Sequence, residues 1–364
     1  MAKKVIVDLK ENSYPILIGK SIVSNLNELL KKYKINKHLL VIVDEKVEKI
    51  YSNIIRSEIN SNYFKVNYYT LKSGEESKSY IELNKIYAYM INNNFGRDSA
   101  IIAIGGGVTG DLAGYVAATF MRGIQLIHIP TTLLAAVDSS IGGKTGINFE
   151  KKKNMIGAFY QPKFVLIDTD FLKSLPHSEL KSGLGEIIKY AYLTEPKFFS
   201  FLEKNLENIY ELNDKILIDV IAISASVKAA VVSQDEKESG LRKILNLGHT
   251  FAHAFETNLN FNIKHGEAVT AGIICALILS NKIGLLKNSK FDKLINLPLK
   301  IKLSNKLKEM NKEVLIDIML HDKKNRNEKI KFVLISDIGK ILVDVEAGKS
   351  EIISSINVML DLIS

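Results

Sequence analysis

Hydrophobic residues in the first half of the chain form short uninterrupted runs that alternate with longer stretches of helical spacing. Compact apolar runs bounded by turn residues predict four buried strands, at 38–47, 100–106, 124–130 and 164–170. Continuous hydrophobicity is typical of strands covered on both faces, as in a parallel sheet. Helical spacing at 79–96 and 109–121 predicts crossover helices between them. This alternation predicts a doubly wound α/β domain.

The pattern changes near Pro176, beyond which helical spacing dominates. Helices are predicted at about 178–194, 213–234, 247–259 and 264–284. A small hairpin is predicted within 331–346, turning at Asp337-Ile338-Gly339, before a final helix. A chain of 364 residues suits two domains better than one core. We therefore predict an α/β domain over 1–175 and a mostly helical domain over 176–364.

Composition narrows the class of protein. Hydrophobic residues make up 46% and charged residues 24%, as in soluble globular proteins. No apolar run approaches the roughly 20 residues that cross a bilayer, and no signal-peptide pattern is seen, so a cytoplasmic location is expected. The single cysteine, Cys275, lies in an apolar run and is expected to be buried, and a disulfide framework is excluded.

The net charge of +9, from 49 basic and 40 acidic residues, has two interpretations. Nucleic-acid binding is one of them. The lysines, however, are scattered, without interleaved aromatic residues or a recognition motif, which favours a solvated surface. Part of the charge also suits a site for anionic small molecules.

A glycine-rich turn follows the second predicted strand. Gly105, Gly107 and Gly110 have G-x-G-x-x-G spacing and open a predicted helix. In that setting glycines let the backbone approach a phosphate, and the helix amides receive its charge, although a tight packing turn is the alternative. The next strand ends without the acidic residue that usually holds ribose hydroxyls. The nearest candidate for that role is Asp44, with Glu75 and Lys78 of "SGEESK" as helpers.

Three histidines fall within "GHTFAHAFETNLNFNIKHGEAV", residues 248–269. Thr250 follows the first of them, which excludes the H-E-x-x-H metalloprotease motif. His249 and His253 are four residues apart, so helical spacing alone favours them as a pair of metal ligands, with His265 further along. Three histidines packed without metal are the alternative.

Several segments in this order resemble one family, the 3-dehydroquinate synthases. They are "SGEESKS", "AIGGGVTGDLAGYVAATFMRG", "IPTTLLAAVDSSIGGKTGIN", "KNMIGAFYQPKFVLID", "GLGEIIKYA", "ILNLGHTFAHAFE", "KHGEAV" and "HDKKN". The resemblance implies a Rossmann-like NAD-binding domain followed by a mostly α-helical metal- and substrate-binding domain. Ala252 and Phe255 depart from the family pattern beside the histidines, where they concern helix packing.

The resemblance implies one Glu and two His as metal ligands, which fall here on Glu186, His249 and His265. Such a set leaves coordination positions open and suits catalytic Zn²⁺, with Co²⁺ as a second candidate. His253 is then not a ligand, and together with Lys189 it is the candidate for proton transfer.

The resemblance also implies the residues of the NAD site. The adenosine side falls on Asp44 and the "SGEESK" segment, and the pyrophosphate on the glycine turn. The full set is Asp44, Ser73, Gly74, Glu75, Glu76, Ser77, Lys78, Gly107, Val108, Thr109, Gly110, Asp111, Thr131, Thr132, Lys144, Lys153, Phe171, Leu172, Lys173 and Ser174.

The substrate implied by the resemblance is 3-deoxy-D-arabino-heptulosonate 7-phosphate, whose carboxylate and phosphate require fixed cations. Arg122 is expected to reach this substrate from a neighbouring subunit, which implies a homodimer. From "HDKKN", Lys324 is favoured over Lys323. The remaining residues expected to line the pocket are Asp138, Lys144, Asn154, Lys189, Lys228, Glu238, Arg242, Asn246 and His253.

The implied reaction is a cyclisation with loss of phosphate. NAD takes a hydride from carbon 5, phosphate leaves by β-elimination, the hydride returns, the ring opens and an internal aldol closure gives 3-dehydroquinate. This places the chain in the shikimate pathway of aromatic amino acid and chorismate biosynthesis. Other sugar phosphate cyclases and iron-dependent polyol dehydrogenases are the rivals, and "VDSSIGGKTGIN" and "KNMIGAF" favour the synthase over both. A non-catalytic metal- or nucleotide-binding protein is a rival from another class.

Overall fold

The computed structural model describes residues 2–59, 62–150, 152–320 and 330–364. The strands are β1 Lys3–Val7, β2 Tyr14–Gly19, β3 His38–Asp44, β4 Lys65–Leu71, β5 Ser99–Gly105, β6 Gln125–Pro130, β7 Lys144–Phe149, β8 Lys152–Phe159, β9 Phe164–Asp168, β10 Lys331–Asp337 and β11 Lys340–Glu346. The helices are α1 Leu26–Lys32, α2 Glu45–Ser57, α3 Tyr80–Asn92, α4 Gly107–Thr119, α5 His177–Leu193, α6 Pro196–Tyr210, α7 Asp214–Gln234, α8 His249–Asn258, α9 His265–Lys282, α10 Asn288–Leu294, α11 Asn296–Leu299, α12 Lys312–Leu320 and α13 Lys349–Leu362.

The chain divides into two compact units. Unit 1 comprises Met1–Leu175 and Leu212–Lys237, and unit 2 comprises Pro176–Glu211 and Glu238–Ser364. The predicted boundary between 175 and 176 coincides with the first division. The predicted second domain differs from unit 2 in one segment, because Leu212–Lys237, which contains α7, clusters with unit 1.

Unit 1 is built on a seven-stranded sheet in the order β1-β2-β9-β6-β5-β3-β4. All neighbouring strands are parallel except β1 and β2, which are antiparallel. The four predicted buried strands are confirmed as β3, β5, β6 and β9. β3 ends at Asp44, earlier than predicted, because the Asp44 carboxylate accepts a hydrogen bond from the Lys46 amide and caps α2. β7 and β8 form a separate hairpin.

The sheet of unit 1 has a hydrophobic core on each face. Successive residues of a strand point to opposite faces, so Leu39 and Val41 belong to one cluster and Leu40 and Ile42 to the other. Leu26 of α1 contributes to the first cluster, and residues of α3 and α4 contribute to the second. Helices therefore cover both faces, as the doubly wound prediction requires.

Helix α7 belongs to unit 1 through specific contacts with β1. The β1 residue Lys3 pairs with Asp219 of α7, and the amide of Asp8, just after β1, donates a hydrogen bond of 2.9 Å to Ser233 Oγ. By length and composition α7 could cross a membrane, with a mean hydropathy of 2.0, but 61% of that apolar stretch is buried in the protein. Its apolar surface therefore serves as core.

Unit 2 is organised around α9, which is buried on nearly every side. Helices α5, α8, α10, α11 and α13 and strand β10 pack against it. The predicted hairpin is confirmed as β10 and β11, and Gly339 in its turn has a φ of +74°. The predicted helices of this half are confirmed as α5, α8 and α9, with α7 in unit 1. Cys275 on α9 is buried, as expected.

Candidate functional site

The residues expected to bind NAD follow the carboxyl ends of five neighbouring strands of unit 1. Asp44 ends β3, Ser73 follows β4, and Gly107 begins the helix directly after β5. Thr131 follows β6, and Phe171 follows β9. Because parallel strands place their carboxyl ends at the same edge, these residues share one edge of the sheet.

The strand order reverses between β3 and β5, since β4 lies on the far side of β3 while β5 and β6 extend in the opposite direction. Ligands of open α/β sheets bind in the crevice at such a point. Asp44 and the glycine turn stand on its two sides. The amide of Thr131 donates to the Gly105 carbonyl at 2.9 Å and ties the end of β6 to the turn.

The glycine turn leads into α4, whose N-terminus has no side-chain cap among the described residues. Gly106 precedes α4, and no described side chain caps it. A Cβ on Gly107 would lie 3.1 Å from Ser139 Oγ, and one on Gly105 only 2.5 Å from Thr109 Oγ1. The turn is therefore too crowded for larger residues, and its first amides suit an anion.

Asp44 and the "SGEESK" segment contact each other. Ser73 Oγ donates to Asp44 Oδ1 at 2.7 Å, and the Ser73 amide donates to Glu45 Oε1 at 3.2 Å. Within the same segment, Glu75 Oε1 accepts from Asn148 Nδ2 at 2.8 Å. Asp44, at the end of β3, is thus hydrogen-bonded to the loop after β4 that carries Glu75.

Lys78 is a buried cation between two predicted site residues. Its Nζ lies 2.5 Å from Asp111 Oδ2 and also donates to Asn154 Oδ1. Burial raises the pKa of the Asp111 carboxyl, and the Lys78 ammonium opposes that shift. Asn154 has a φ of +54°, a left-handed conformation that asparagine tolerates better than most residues.

Asp138 and Lys228 form a second charged pair among the predicted site residues of unit 1. Lys228 on α7 donates to Asp138 Oδ1 at 2.6 Å and to the Asp138 backbone carbonyl at 2.7 Å. Asp138 belongs to a single π-helical turn, Ala135–Ser139. The placement of α7 in unit 1 is what brings these two predicted residues together.

The other residues expected at the NAD site differ in exposure. Lys144 on β7 is exposed, Lys153 on β8 is half-buried, and Thr132 Oγ1 accepts from the Ala135 amide at 3.1 Å. Phe171 and Leu172 are buried in the core, so any contact they make with a nucleotide must come from the backbone.

In unit 2, three predicted metal ligands come from three helices. Glu186 lies on α5, His249 begins α8 and His265 begins α9. One ligand atom from each lies within 4.8 Å of the others. Among the described residues, this is the group of histidines and acids that could hold a metal ion. It pairs His249 with His265 rather than with His253, which spacing alone favours.

A glycine stands directly beside each of these ligands. Gly185 precedes Glu186, Gly248 precedes His249 and Gly266 follows His265. A Cβ on Gly185 would lie 2.1 Å from the Gly266 carbonyl oxygen, and one on Gly248 would lie 2.7 Å from the Ile273 amide nitrogen. The helices therefore cross backbone to backbone, and this close approach draws the three ligands together.

The distances within the group fit a metal ion. The Nε2 atoms of His249 and His265 each lie 3.5 Å from Glu186 Oε1. Tetrahedral coordination with bonds of about 2.1 Å separates ligand atoms by about 3.4 Å. Glu186 is fully buried, and its Oε1 accepts no hydrogen bond from any described residue. A buried acceptor without a donor is costly, and a cation would satisfy it.

Hydrogen bonding fixes the orientation of both rings. His249 Nδ1 lies 3.2 Å from the Leu247 carbonyl oxygen, and His265 Nδ1 lies 3.3 Å from Glu256 Oε2. Burial and the Lys189 ammonium lower the pKa of His249 well below its usual value. Burial also acts to lower the pKa of His265, but the carboxylates of Glu186 and Glu256 have the larger effect and raise the pKa of His265 to about 10.

Lys189 and His253 border this group. Lys189 lies one turn after Glu186, is buried, and donates to Glu186 Oε2, the oxygen that does not face the histidines. The His253 ring lies 5.5 Å from that of His249, centroid to centroid. A buried ammonium and an imidazole beside the ligands are suitable groups for proton transfer.

The other predicted substrate residues of unit 2 lie on a short segment before α8. Asn246 Nδ2 donates to Glu238 Oε1 at 3.2 Å, Glu238 has a φ of +59°, and Arg242 is almost fully buried. In unit 1, Arg122 is exposed with a φ of +67°. Lys324 lies outside the described residues.

Two residues near the candidate sites, Glu256 and His128, were not identified from the sequence. Glu256 was not singled out, although it lies seven residues after His249 and so on the same face of α8. His128 on β6 is buried against Gly110, and burial lowers its pKa to about 4. A Cβ on Gly110 would lie 3.5 Å from the His128 ring. The sequence gives little signal for His128, since a lone histidine in an apolar strand is usually a packing residue.

Comparison with known proteins gives two consecutive family matches along the chain. Residues 68–182 match the description "3-dehydroquinate synthase N-terminal", and residues 183–325 match "3-dehydroquinate synthase C-terminal". A 3-dehydroquinate synthase of Shewanella piezotolerans is 43% identical over 342 residues, which cover 93% of this chain and 95% of that protein. The chain belongs to the 3-dehydroquinate synthase family. The resemblance read from the motifs is thereby confirmed.

Sequence identity is higher to 3-dehydroquinate synthases than to a structurally similar cyclase. The 3-dehydroquinate synthase of Desulforamulus reducens is 40% identical over 350 residues, covering 96% of this chain and 98% of that protein. A crystal structure of 2-deoxy-scyllo-inosose synthase, complexed with carbaglucose-6-phosphate, NAD⁺ and Co²⁺, superposes with a TM-score of 0.86. Its identity is only 26%, over 98% of this chain and 99% of that one. The fold is shared with other cyclases, and the sequence is closer to the 3-dehydroquinate synthases.

Proposed function

We propose that this chain is a 3-dehydroquinate synthase, which converts 3-deoxy-D-arabino-heptulosonate 7-phosphate to 3-dehydroquinate and phosphate. The observation that carries the proposal is the 43% identity to a 3-dehydroquinate synthase along 93% of the chain, with Glu186, His249 and His265 gathered as a possible metal site. Inosose synthase, at 26% identity, is a weaker guide to substrate. In this role the chain is a lyase of aromatic amino acid biosynthesis.

NAD and a divalent metal are the proposed cofactors. When bound, NAD accepts and returns a hydride and the metal ion acts as a Lewis acid on substrate oxygens. The uncapped start of α4 would hold the pyrophosphate, with Asp44 toward the ribose. Glu186, His249 and His265 would hold Zn²⁺ or Co²⁺, since their spacing fits these ions.

The proton transfers are assigned to unit 2. Lys189 donates a hydrogen bond to Glu186 Oε2 and thereby orients that carboxylate. His253 stands one helical turn after His249 without belonging to the ligand group, and its imidazole is the proposed acceptor of a proton from a substrate hydroxyl. Glu238 and Asn246 form a hydrogen-bonded pair suited to substrate hydroxyls.

The anionic groups of the substrate are assigned to lysine and arginine side chains among the predicted residues. Lys228, which is buried and held by Asp138, and Lys144 are proposed from unit 1, with Asn154 as a hydrogen-bond donor. Arg242 is a further proposed cation, and because it is almost fully buried it is not a solvated surface residue. Lys324 completes the proposed set from outside the described residues.

We also propose that the enzyme is a cytoplasmic homodimer. Arg122 is exposed on a turn in which Met121, Arg122 and Gly123 all have positive φ. The exposed side chain of Arg122 is accessible to another molecule, which supports the expectation that it serves the site of a second copy. Size-exclusion chromatography with light scattering tests this state, and a monomer at working concentration would contradict it.

Phosphate release tests the activity. The protein is incubated with the heptulosonate phosphate, with and without NAD⁺ and a chelator, and with a hexose 6-phosphate as the competing substrate class. We expect release only with the heptulosonate phosphate, loss of release with the chelator, and no stoichiometric accumulation of NADH. Preference for the hexose phosphate would indicate another cyclase, and accumulating NADH would indicate a dehydrogenase.

Two histidine variants control the assignment of the metal site. His249→Ala should lose bound metal and activity together, because it removes one of three ligands. His177→Ala removes an exposed histidine at the start of α5 and should change neither. Retention of stoichiometric zinc by His249→Ala would exclude the proposed ligand set.

A further inference from the structure

The second ring nitrogen of His265 faces a carboxylate. His265 Nε2 is turned toward Glu186, and Nδ1 lies 3.3 Å from Glu256 Oε2. A carboxylate only accepts hydrogen bonds, so Nδ1 must carry the proton. In the neutral ring Nε2 then keeps its lone pair, on the side that faces the other ligands.

Packing constrains His265 less than the other two ligands. The side chain of Glu186 is 0% exposed, that of His249 is 11% exposed and that of His265 is 32% exposed. A half-exposed imidazole can turn about its χ angles unless a polar partner holds it. Glu256 is that partner, and its own side chain is only 9% exposed.

We propose that Glu256 is a positioning residue that sets the tautomer and the orientation of His265 for metal binding. The inference rests on the proposed metal site. It adds a residue outside the ligands and outside the residues expected to contact substrate. Carboxylates hydrogen-bonded to metal-binding histidines fix the ring and raise its basicity.

The position of Glu256 links two of the three ligands. It lies on α8, the helix that His249 begins, while His265 begins α9. The two helices cross where a Cβ on Gly272 would lie 2.2 Å from the Gly248 carbonyl oxygen. Glu256 therefore reaches from the helix of one proposed ligand, His249, to the ring of another, His265.

His249 is oriented differently, by the backbone carbonyl of Leu247 at 3.2 Å. No side-chain substitution removes that carbonyl. Glu256 is thus the orienting group that mutation can remove while all three ligands remain. This makes its contribution measurable by itself.

The test is zinc affinity, measured without substrate by competition with a chromogenic chelator. Glu256→Ala removes both the charge and the acceptor, and we expect zinc to bind about 10- to 100-fold more weakly, the usual effect of losing such a partner. Glu256→Gln keeps an oxygen acceptor but loses the charge, so a smaller loss is expected. In the Co²⁺-loaded protein, the visible absorption bands should shift in Glu256→Ala.

Glu267→Gln is the matched control. Glu267 is a buried carboxylate on α9, two residues from His265, and burial raises its pKa while Lys181 and Lys264 lower it. Its replacement should leave zinc affinity unchanged. Melting temperatures of the metal-free variants separate loss of metal binding from unfolding, and Glu256→Gln decides the matter if Glu256→Ala does not fold.

The outcomes separate this inference from the proposed function. Unchanged zinc affinity in folded Glu256→Ala, or in Glu256→Gln where only that variant folds, overturns the positioning role and leaves the synthase proposal intact. Zinc binding that weakens as expected in a protein without phosphate-releasing activity supports the positioning role and overturns the activity. An unsubstituted chain that binds no zinc overturns both.

Discussion

Replacing Gly266 by alanine perturbs the metal centre through the backbone, without touching a ligand. The added Cβ would lie 1.7 Å from the carbonyl oxygen of Ser182 and 2.5 Å from its carbonyl carbon. Both atoms belong to the backbone of α5, so no side-chain rotation relieves the contact. The helices themselves must separate.

The size of that separation follows from the contact distance. Ordinary van der Waals contact begins at 3.4 Å, so α9 must move from α5 by about 1.7 Å. His265 is the residue before Gly266, and Glu186 lies one turn after Ser182, so the 3.5 Å between their ligand atoms would widen to about 5 Å. Two ligand atoms with bonds of about 2.1 Å to zinc cannot be more than about 4.2 Å apart.

We therefore expect Gly266→Ala to lose His265 as a ligand, with zinc binding weakened at least about 100-fold. Overpacking should also destabilise the fold by about 1–3 kcal/mol. Chelator competition measures the first effect and thermal unfolding of the metal-free protein the second. Gly348→Ala is the control, because its Cβ would meet only the flexible end of Glu351. Zinc affinity in Gly266→Ala equal to that of the unsubstituted chain would refute the reasoning.

Three further predictions concern other parts of the site. His253→Ala should keep metal and NAD but slow turnover about 10²- to 10⁴-fold, as for a lost acid–base group, whereas lost metal would make it a ligand. Gly107→Val should weaken NAD binding in equilibrium titration by blocking the backbone, and an unchanged dissociation constant would exclude the site. Burial lowers the pKa of His128 in the folded protein to about 4, below the value of about 6.5 in the unfolded chain. Between these pH values the unfolded state binds more protons than the folded state. The free energy of unfolding should therefore fall by up to about 3 kcal/mol as the pH drops from 6.5 to 4. His128→Gln should remove that part of the acid sensitivity in urea unfolding at both pH values, and an unchanged difference would argue against it.

The strands that could be predicted from the sequence are those whose burial shows as a continuous run of apolar residues. The strands β3, β5, β6 and β9 lie inside the sheet, and their continuous apolar runs marked them. β1 and β4 are the edge strands, and both are largely exposed or half-buried, so no such run exists. In β2, Pro15 interrupts the run just before the parallel pairing with β9 begins at Ile16.

The metal centre shows a different limit of sequence analysis. Spacing compares residues on one helix, and on α8 it correctly places His249 and His253 one turn apart. It cannot show that His265, from another helix, places a ligand atom within 4.8 Å of ligand atoms of Glu186 and His249. That approach depends on contacts of Gly248 and Gly266 with distant backbone. The family resemblance supplied the proposed ligand set, because it carries information about contacts between residues that are far apart in the chain.

The membership of α7 in unit 1 also has no local signal. Its helical pattern is evident, but the partner of its apolar face is β1, more than two hundred residues earlier. The boundary predicted from the hydrophobic pattern alone assigned α7 to the same domain as the helices next to it in sequence. Only long-range contacts such as Lys3 with Asp219 assign it to unit 1.

This interleaving has a consequence for synthesis on the ribosome. Unit 1 cannot be completed when Leu175 emerges, because the helix that covers β1 and supplies Lys228 ends at Gln234. Helices α5 and α6 of unit 2 are synthesised before unit 1 is complete, and they cannot pack until α8 and α9 have also been synthesised. A nascent chain of about 200 residues therefore exposes apolar surface on both unfinished units. Stalling in that interval should recruit chaperones, and a gene split after codon 175 should yield two insoluble products rather than two domains.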